Sequence, residues 1–88
     1  MKLIEFADCI NKELRIIYYP NQDIRFSCSF EGAEVLDSLD SVILCAAYGN
    51  GETSNKAMND YAEKIRGKIL VFNAFGKRKE FVVPKTIA

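Results

Sequence analysis

The sequence predicts an α+β fold: a two-layer sandwich of order αβββαββ, with a mainly antiparallel sheet and two helices on one face. Three observations predict it. Two segments repeat their apolar residues at helical spacing, several shorter runs are β-rich, and short glycine, proline and asparagine turns join consecutive runs. The 88 residues make one domain, spanning 1–88. Almost half of them are apolar and the charged fraction is ordinary, so the chain has enough material for a packed core without metal or disulfides.

Residues 2–14 read as an amphipathic helix. Leu3, Phe6, Ala7, Ile10 and Leu14 share a face, while Lys2, Glu5, Asp8 and Lys12 point away. Asp8 and Lys12 are spaced as an i,i+4 pair. Arg15–Tyr19 is a short β-rich run stopped by Pro20, and Asn21-Gln22-Asp23 is a turn. Ile24–Glu31 alternates: Ile24, Phe26, Cys28 and Phe30 face one way, and Arg25, Ser27, Ser29 and Glu31 the other. Such a strand has one buried face and one wet face. Gly32 interrupts it, and pairing resumes at Glu34–Leu36 as a bulge continuation or a separate strand.

Asp37-Ser38-Leu39-Asp40-Ser41 is a polar loop, with Asx-type backbone hydrogen bonds favoured over metal binding. Val42–Tyr48 is apolar on both faces, as expected of a central or doubly covered strand. A glycine turn, Gly49-Asn50-Gly51, leads into the second helix. Thr53 or Ser54 is its N-cap; Ala57, Met58, Tyr61, Ala62 and Ile65 form its apolar face. Asp60 and Lys64 are an i,i+4 pair, Arg66 suits the last turn, and Gly67 is the stop. Lys68–Phe75 is a further strand apolar on both faces. Gly76-Lys77-Arg78-Lys79 is a hairpin tip, Glu80–Val83 returns, and Pro84 ends the run.

With helices on one face of the sheet, the other face is open. Ile43, Cys45, Leu70, Phe72 and Phe81 are candidates for an exposed apolar patch there, and a homodimer through that open sheet face is one way to cover it. Curling of the C-terminal strands over the face is the alternative.

Chemistry-bearing motifs are sparse. The chain has no histidine, so no serine or cysteine has an imidazole to activate it, and a zinc site would need cysteines and carboxylates alone. We expect no enzyme, metal or cofactor. Cys9, Cys28 and Cys45 are odd in number and lack CxxC spacing, so they read as buried or half-buried thiols. Gly49-Asn50-Gly51 before a helix has the look of a phosphate cradle, but it lacks both the Walker and the dinucleotide patterns and reads as a turn. No apolar run is long enough for a membrane span and no signal peptide is apparent, so the expected compartment is the cytoplasm.

The formal net charge is zero, yet the charges are segregated along the chain. Residues 31–63 carry seven carboxylates against Lys56, and residues 64–88 carry seven cations against Glu80. Two candidate surfaces follow. Glu31, Glu34, Asp37, Asp40, Glu52 and Asp60 could compete for a basic groove on a protein partner. Arg66, Lys68, Lys77, Arg78 and Lys79, with Phe72 and Phe75 as stacking platforms, could instead grip nucleic acid.

The order α-β-β-β-α and the segment Gly49–Ala62 resemble the double-stranded-RNA-binding domain over roughly residues 3–66. That family ends its third strand in Gly-x-Gly, followed by a helix beginning Ser-Lys-Lys-x-Ala-Lys. Here its lysine positions fall on Ser54, Asn55 and Met58; only Lys56 is basic, and the family's Gly-Pro-x-His loop is missing. The resemblance implies the scaffold without its RNA-gripping surface. The same segment is similar to HicB-type antitoxins, with their strand, turn and alanine-bearing helix. Taken whole, the chain resembles short phage and prophage reading frames, a class that includes anti-CRISPR inhibitors. That resemblance implies a non-enzymatic inhibitor acting on a protein that handles nucleic acid.

Overall fold

The computed structural model describes residues 1–23 and 25–88; Ile24, expected to open the second strand, lies outside the described residues. Its elements are α1 (Leu3–Ile10), β1 (Leu14–Tyr18), β2 (Phe26–Phe30), β3 (Ala33–Leu36), β4 (Gly49–Gly51), α2 (Ser54–Ile65), β5 (Ile69–Phe72) and β6 (Lys79–Val82). All pairings are antiparallel. They form two three-stranded sheets, ordered β1-β2-β4 and β3-β5-β6. The α+β class and the antiparallel pairing are as the sequence predicts. The division into two sheets arises at Gly32, whose φ of +73° turns the chain out of β2 and into β3.

α1 is shorter than the 2–14 expected. Asn11 adopts the left-handed conformation at φ 54° and closes the helix, which leaves Leu14 to begin β1. Lys12 does not pair with Asp8; its ammonium lies 4.8 Å from the centre of the Phe72 ring. α2 follows its sequence signals closely. Thr53 caps it by accepting from the Lys56 N–H at 3.1 Å, and Gly67 turns left-handed just after it. Its face of Ala57, Tyr61, Ala62 and Ile65 is buried.

Both helices enter one core with the inner faces of both sheets. Leu3 and Phe6 of α1 meet Cys28 and Phe30 of β2, Tyr61 and Ile65 of α2, and Leu70 and Phe72 of β5. Phe30 is the hub: its ring makes edge or tilted contacts with Phe6, Tyr61 and Phe72 at centroid distances of 5.9–6.3 Å. A second, smaller cluster of Leu36, Ile69 and Val71 lies on the other side of the β3-β5-β6 sheet, with Leu44 and Ala74 packed against it. β5 is therefore central and buried along its whole length.

This burial corrects two expectations. Leu70 and Phe72 are not on an open face; both are in the core, and Phe81 is half-buried against it. The Val42–Tyr48 segment is not a covered central strand. It meets β3 at a single bridge, Val35 with Cys45, and regular pairing begins only at Gly49. The segment instead exposes apolar side chains, with Val42 91% and Ile43 70% exposed. The physical reason is tertiary. α2 packs so closely on Gly49 and Gly51 that the ladder with β2 forms there, and β3 departs beyond the Gly32 bend.

Candidate interaction surfaces

The ladder between the long bent strand and residues 42–51 opens in the middle. Cys28 pairs with Gly49 and Val35 with Cys45, so residues 29–34 on one side face only residues 46–48 on the other. The opening forms a cleft of about 890 Å³ on the helix-free face of the β1-β2-β4 sheet. Its floor is the wet face expected of β2, with Ser27, Ser29 and Glu31. Ile17, Tyr19 and Tyr48 supply apolar and aromatic surface; among the described residues that line it, the charged ones are Glu31, Glu34 and Arg15.

Tyr61 explains how the open ladder is tolerated. Were the β2–β4 register continued, Phe30 would face Ala47; instead the Phe30 N–H donates to the buried Tyr61 hydroxyl at 3.0 Å. The phenol thus stands in for a strand carbonyl and leaves no orphan donor. Burial pushes the Tyr61 phenol up to about 12 and the Cys28 thiol up to about 11.

The far edge of β4 is closed by α2. The Asn50 N–H donates to the Asp60 carboxylate at 2.8 Å, and Lys64 Nζ donates to the Tyr48 carbonyl at 2.7 Å. Asp60 and Lys64 also form the expected i,i+4 ion pair, at 3.0 Å. The Asn50 N–H and then the lysine hold the Asp60 carboxyl below its ordinary value. Side chains here complete a sheet edge as a neighbouring strand would.

Gly49-Asn50-Gly51 is accordingly a packing device. A Cβ on Gly49 would collide with the Ala57 carbonyl and the Tyr61 Cβ; one on Gly51 would stand 2.6 Å from the Ala57 nitrogen.

The acidic candidates do not form one patch. Glu31 and Glu34 share the cleft. Asp37 pairs with Lys68 at 3.2 Å, Glu52 with Lys56 at 3.7 Å, and Asp60 is spent on the β4 edge. Asp40 is exposed in its loop. Pairs such as Asp37–Lys68 also mix the acidic and basic halves of the sequence. The basic candidates divide as well. Arg66 Nε donates to the Ile87 carbonyl at 3.0 Å and holds the C-terminal segment, whereas Arg78 pairs with Glu80 at 2.8 Å. Lys77 and Lys79 remain exposed near the hairpin tip, and Phe75 at that tip is 97% exposed. Phe72, the other proposed stacking platform, is buried.

Two of the thiols also depart from expectation: Cys9 and Cys45 are exposed, and only Cys28 is buried. Among the described residues no group of three or more histidines, cysteines and carboxylates is placed to hold a metal, and no helix is long and apolar enough to cross a membrane. The cleft itself escaped the sequence reading, although Gly32 between two β-rich runs was its signal. No protein-family model, curated protein or solved structure matches the chain.

Proposed function

We propose that the protein is a non-enzymatic interaction protein of the cytoplasm, an inhibitor of the phage or mobile-element type, that seats a basic extended segment of a nucleic-acid-handling protein in the β1-β2-β4 cleft. The class of inhibitor extends the resemblance noted from the sequence. The observation that supports the binding mode is the cleft: a wide concavity where Glu31 and Glu34 outnumber Arg15 and where Tyr19 and Tyr48 offer flat contact area. Asp40 lies outside it as a further acidic group. Carboxylates at such a site compete with a nucleic-acid backbone for the same cations and speed encounter with a basic partner.

The test is affinity capture from nuclease-treated host lysate with the wild type and with Glu31→Lys/Glu34→Lys. The wild type retains a basic protein whose nucleic-acid binding then falls when the inhibitor is added. The variant, folded to the same degree, binds it about tenfold or more weakly, equivalent to about 1.4 kcal/mol or more. Equal retention by the variant removes the cleft as the site.

A second reading rests on Phe75. An almost fully exposed ring beside Lys77 and Lys79 suits a base and two phosphates of a single strand. It requires binding to single-stranded RNA or DNA that weakens with salt, by a slope of about −0.7 per cation engaged, and that is lost on Phe75→Ala. Absence of binding at low salt eliminates this reading.

A further inference from the structure

The run from Leu44 to Asn50 alternates in its hydrogen bonding. Cys45 turns inward: the Val35 N–H donates to its carbonyl at 2.8 Å, and its own N–H donates to the Val35 carbonyl at 3.0 Å. Gly49 and Gly51 pair inward with Cys28 and Phe26. In antiparallel pairing the residues between them direct both backbone groups the other way. Tyr48 and Asn50 do so: Lys64 Nζ donates to the Tyr48 carbonyl there, and the Asn50 N–H donates to Asp60. Ala46 and Leu44 come next in the same parity. Their N–H and C=O groups have no hydrogen-bond partner among the described residues. The polar clasp therefore ends where an uncapped, apolar edge begins.

We propose that two copies of this chain pair antiparallel along this edge, about a two-fold axis at Cys45. In that register Leu44 of each copy faces Ala46 of the other, and each such pair exchanges two hydrogen bonds. All the open groups of Leu44 and Ala46 on both copies are then satisfied. A two-fold pairing is self-complementary, so the same short edge on each copy closes the other. Charge favours the same occupant. Residues 41–50 carry no charged side chain, so two copies paired over this run bring no like charges of the strand opposite each other. The clasp also limits the length of the pairing, because the Tyr48 carbonyl is already taken. An edge this short lies at the low end of specific interfaces, below about 1,200 Å² in total, so the dimer is weak and concentration-dependent.

The register makes a chemical prediction. Cys45 faces its own copy at a non-hydrogen-bonded position, where Cα atoms stand about 4.5 Å apart, within the range a disulfide spans. The thiol is exposed. Light scattering over a concentration series and diamide oxidation of the Cys9→Ser protein test this. Two Cys45 thiols give up two electrons and two protons to diamide, which becomes the hydrazine, and an S–S bond forms. The expected result is a monomer–dimer equilibrium and a covalent dimer through Cys45.

Ala46→Pro removes one outward N–H without touching the inward bonds of Cys45, and should abolish both signals. Val42→Lys is a second variant that cannot act through the fold, since that side chain is already 91% exposed. It brings a lysine toward Lys64 of the other copy and should weaken the dimer at least tenfold, with recovery in high salt. Glu31→Lys/Glu34→Lys should leave the dimer unchanged, which separates this interface from the cleft. A wild type that stays monomeric at its highest soluble concentration overturns the proposal. So does a dimer that survives Ala46→Pro or does not cross-link at Cys45, including one closed by another partner strand or register.

Discussion

Tyr61 combines a large, fully buried side chain with a hydroxyl that occupies a gap in a strand ladder. Tyr61→Phe keeps the ring and leaves the Phe30 N–H without a partner, at an expected cost of about 1–3 kcal/mol in urea unfolding. Tyr61 and Cys28 also set the response to alkali. Both have folded pKa values raised above the unfolded ones, from 10.0 to about 12 and from 9.0 to about 11. Their contribution to stability is therefore complete below pH 9 and is lost as pH rises through about 11–12. Unfolding midpoints measured from pH 8 upward should fall across that window, and Cys28→Ala should flatten its lower part. Asp60 has the opposite sign. Its folded pKa is lowered, so its contribution is present above the ordinary value of 3.8 and is lost as pH falls through the folded one. Asp60→Asn should remove that acid-side component.

Among the elements, β4 and α2 act as one unit, and the two glycines of β4 permit their approach. Gly49→Ala must move the α2 backbone, so a loss of about 1–3 kcal/mol or more in stability is expected from overpacking. Gly32 is a useful contrast. A Cβ there meets nothing within 4 Å, but φ is +73°, so Gly32→Ala should cost only about 1–2 kcal/mol of backbone conformation. The capped helix α2 was legible in the sequence because cap, apolar face and glycine stop all agree at residues 53–67. β2 was legible because its alternation matches a half-buried strand. The Val42–Tyr48 segment was not, because an apolar run reads alike whether it is sandwiched or left at an edge. Only the placement of Gly32 and the closeness of α2 to Gly49 decide between them, and both are tertiary.

For the molecule as a whole, folding joins the acidic and basic blocks at one long-range ion pair among the described residues. Asp37 pairs with Lys68 across the two halves, and such exposed pairs are worth about 0–1 kcal/mol each. Of the candidate residues, Glu31 and Glu34 come together in a cleft, while Asp60 and Arg66 turn out to hold the fold. Sequence could supply the residue types, but which carboxylates are free depends on hydrogen bonds between parts of the chain far apart in sequence. The C-terminal segment illustrates the same dependence. Ile87 is buried and its carbonyl is bound by Arg66, so Ile87→Ala should destabilise by about 2–5 kcal/mol in thermal or chemical unfolding.

The hairpin tip has a practical consequence. The chain contains no tryptophan, and Phe75 stands almost wholly in water. Replacing it with the indole would install a lone tryptophan at the apex, excited at the red edge of its absorption apart from the four tyrosines, without disturbing the core. Its emission should begin at the long-wavelength limit of a hydrated indole and move to the blue only when something stacks against it, so a titration cuvette reports occupancy of that corner directly.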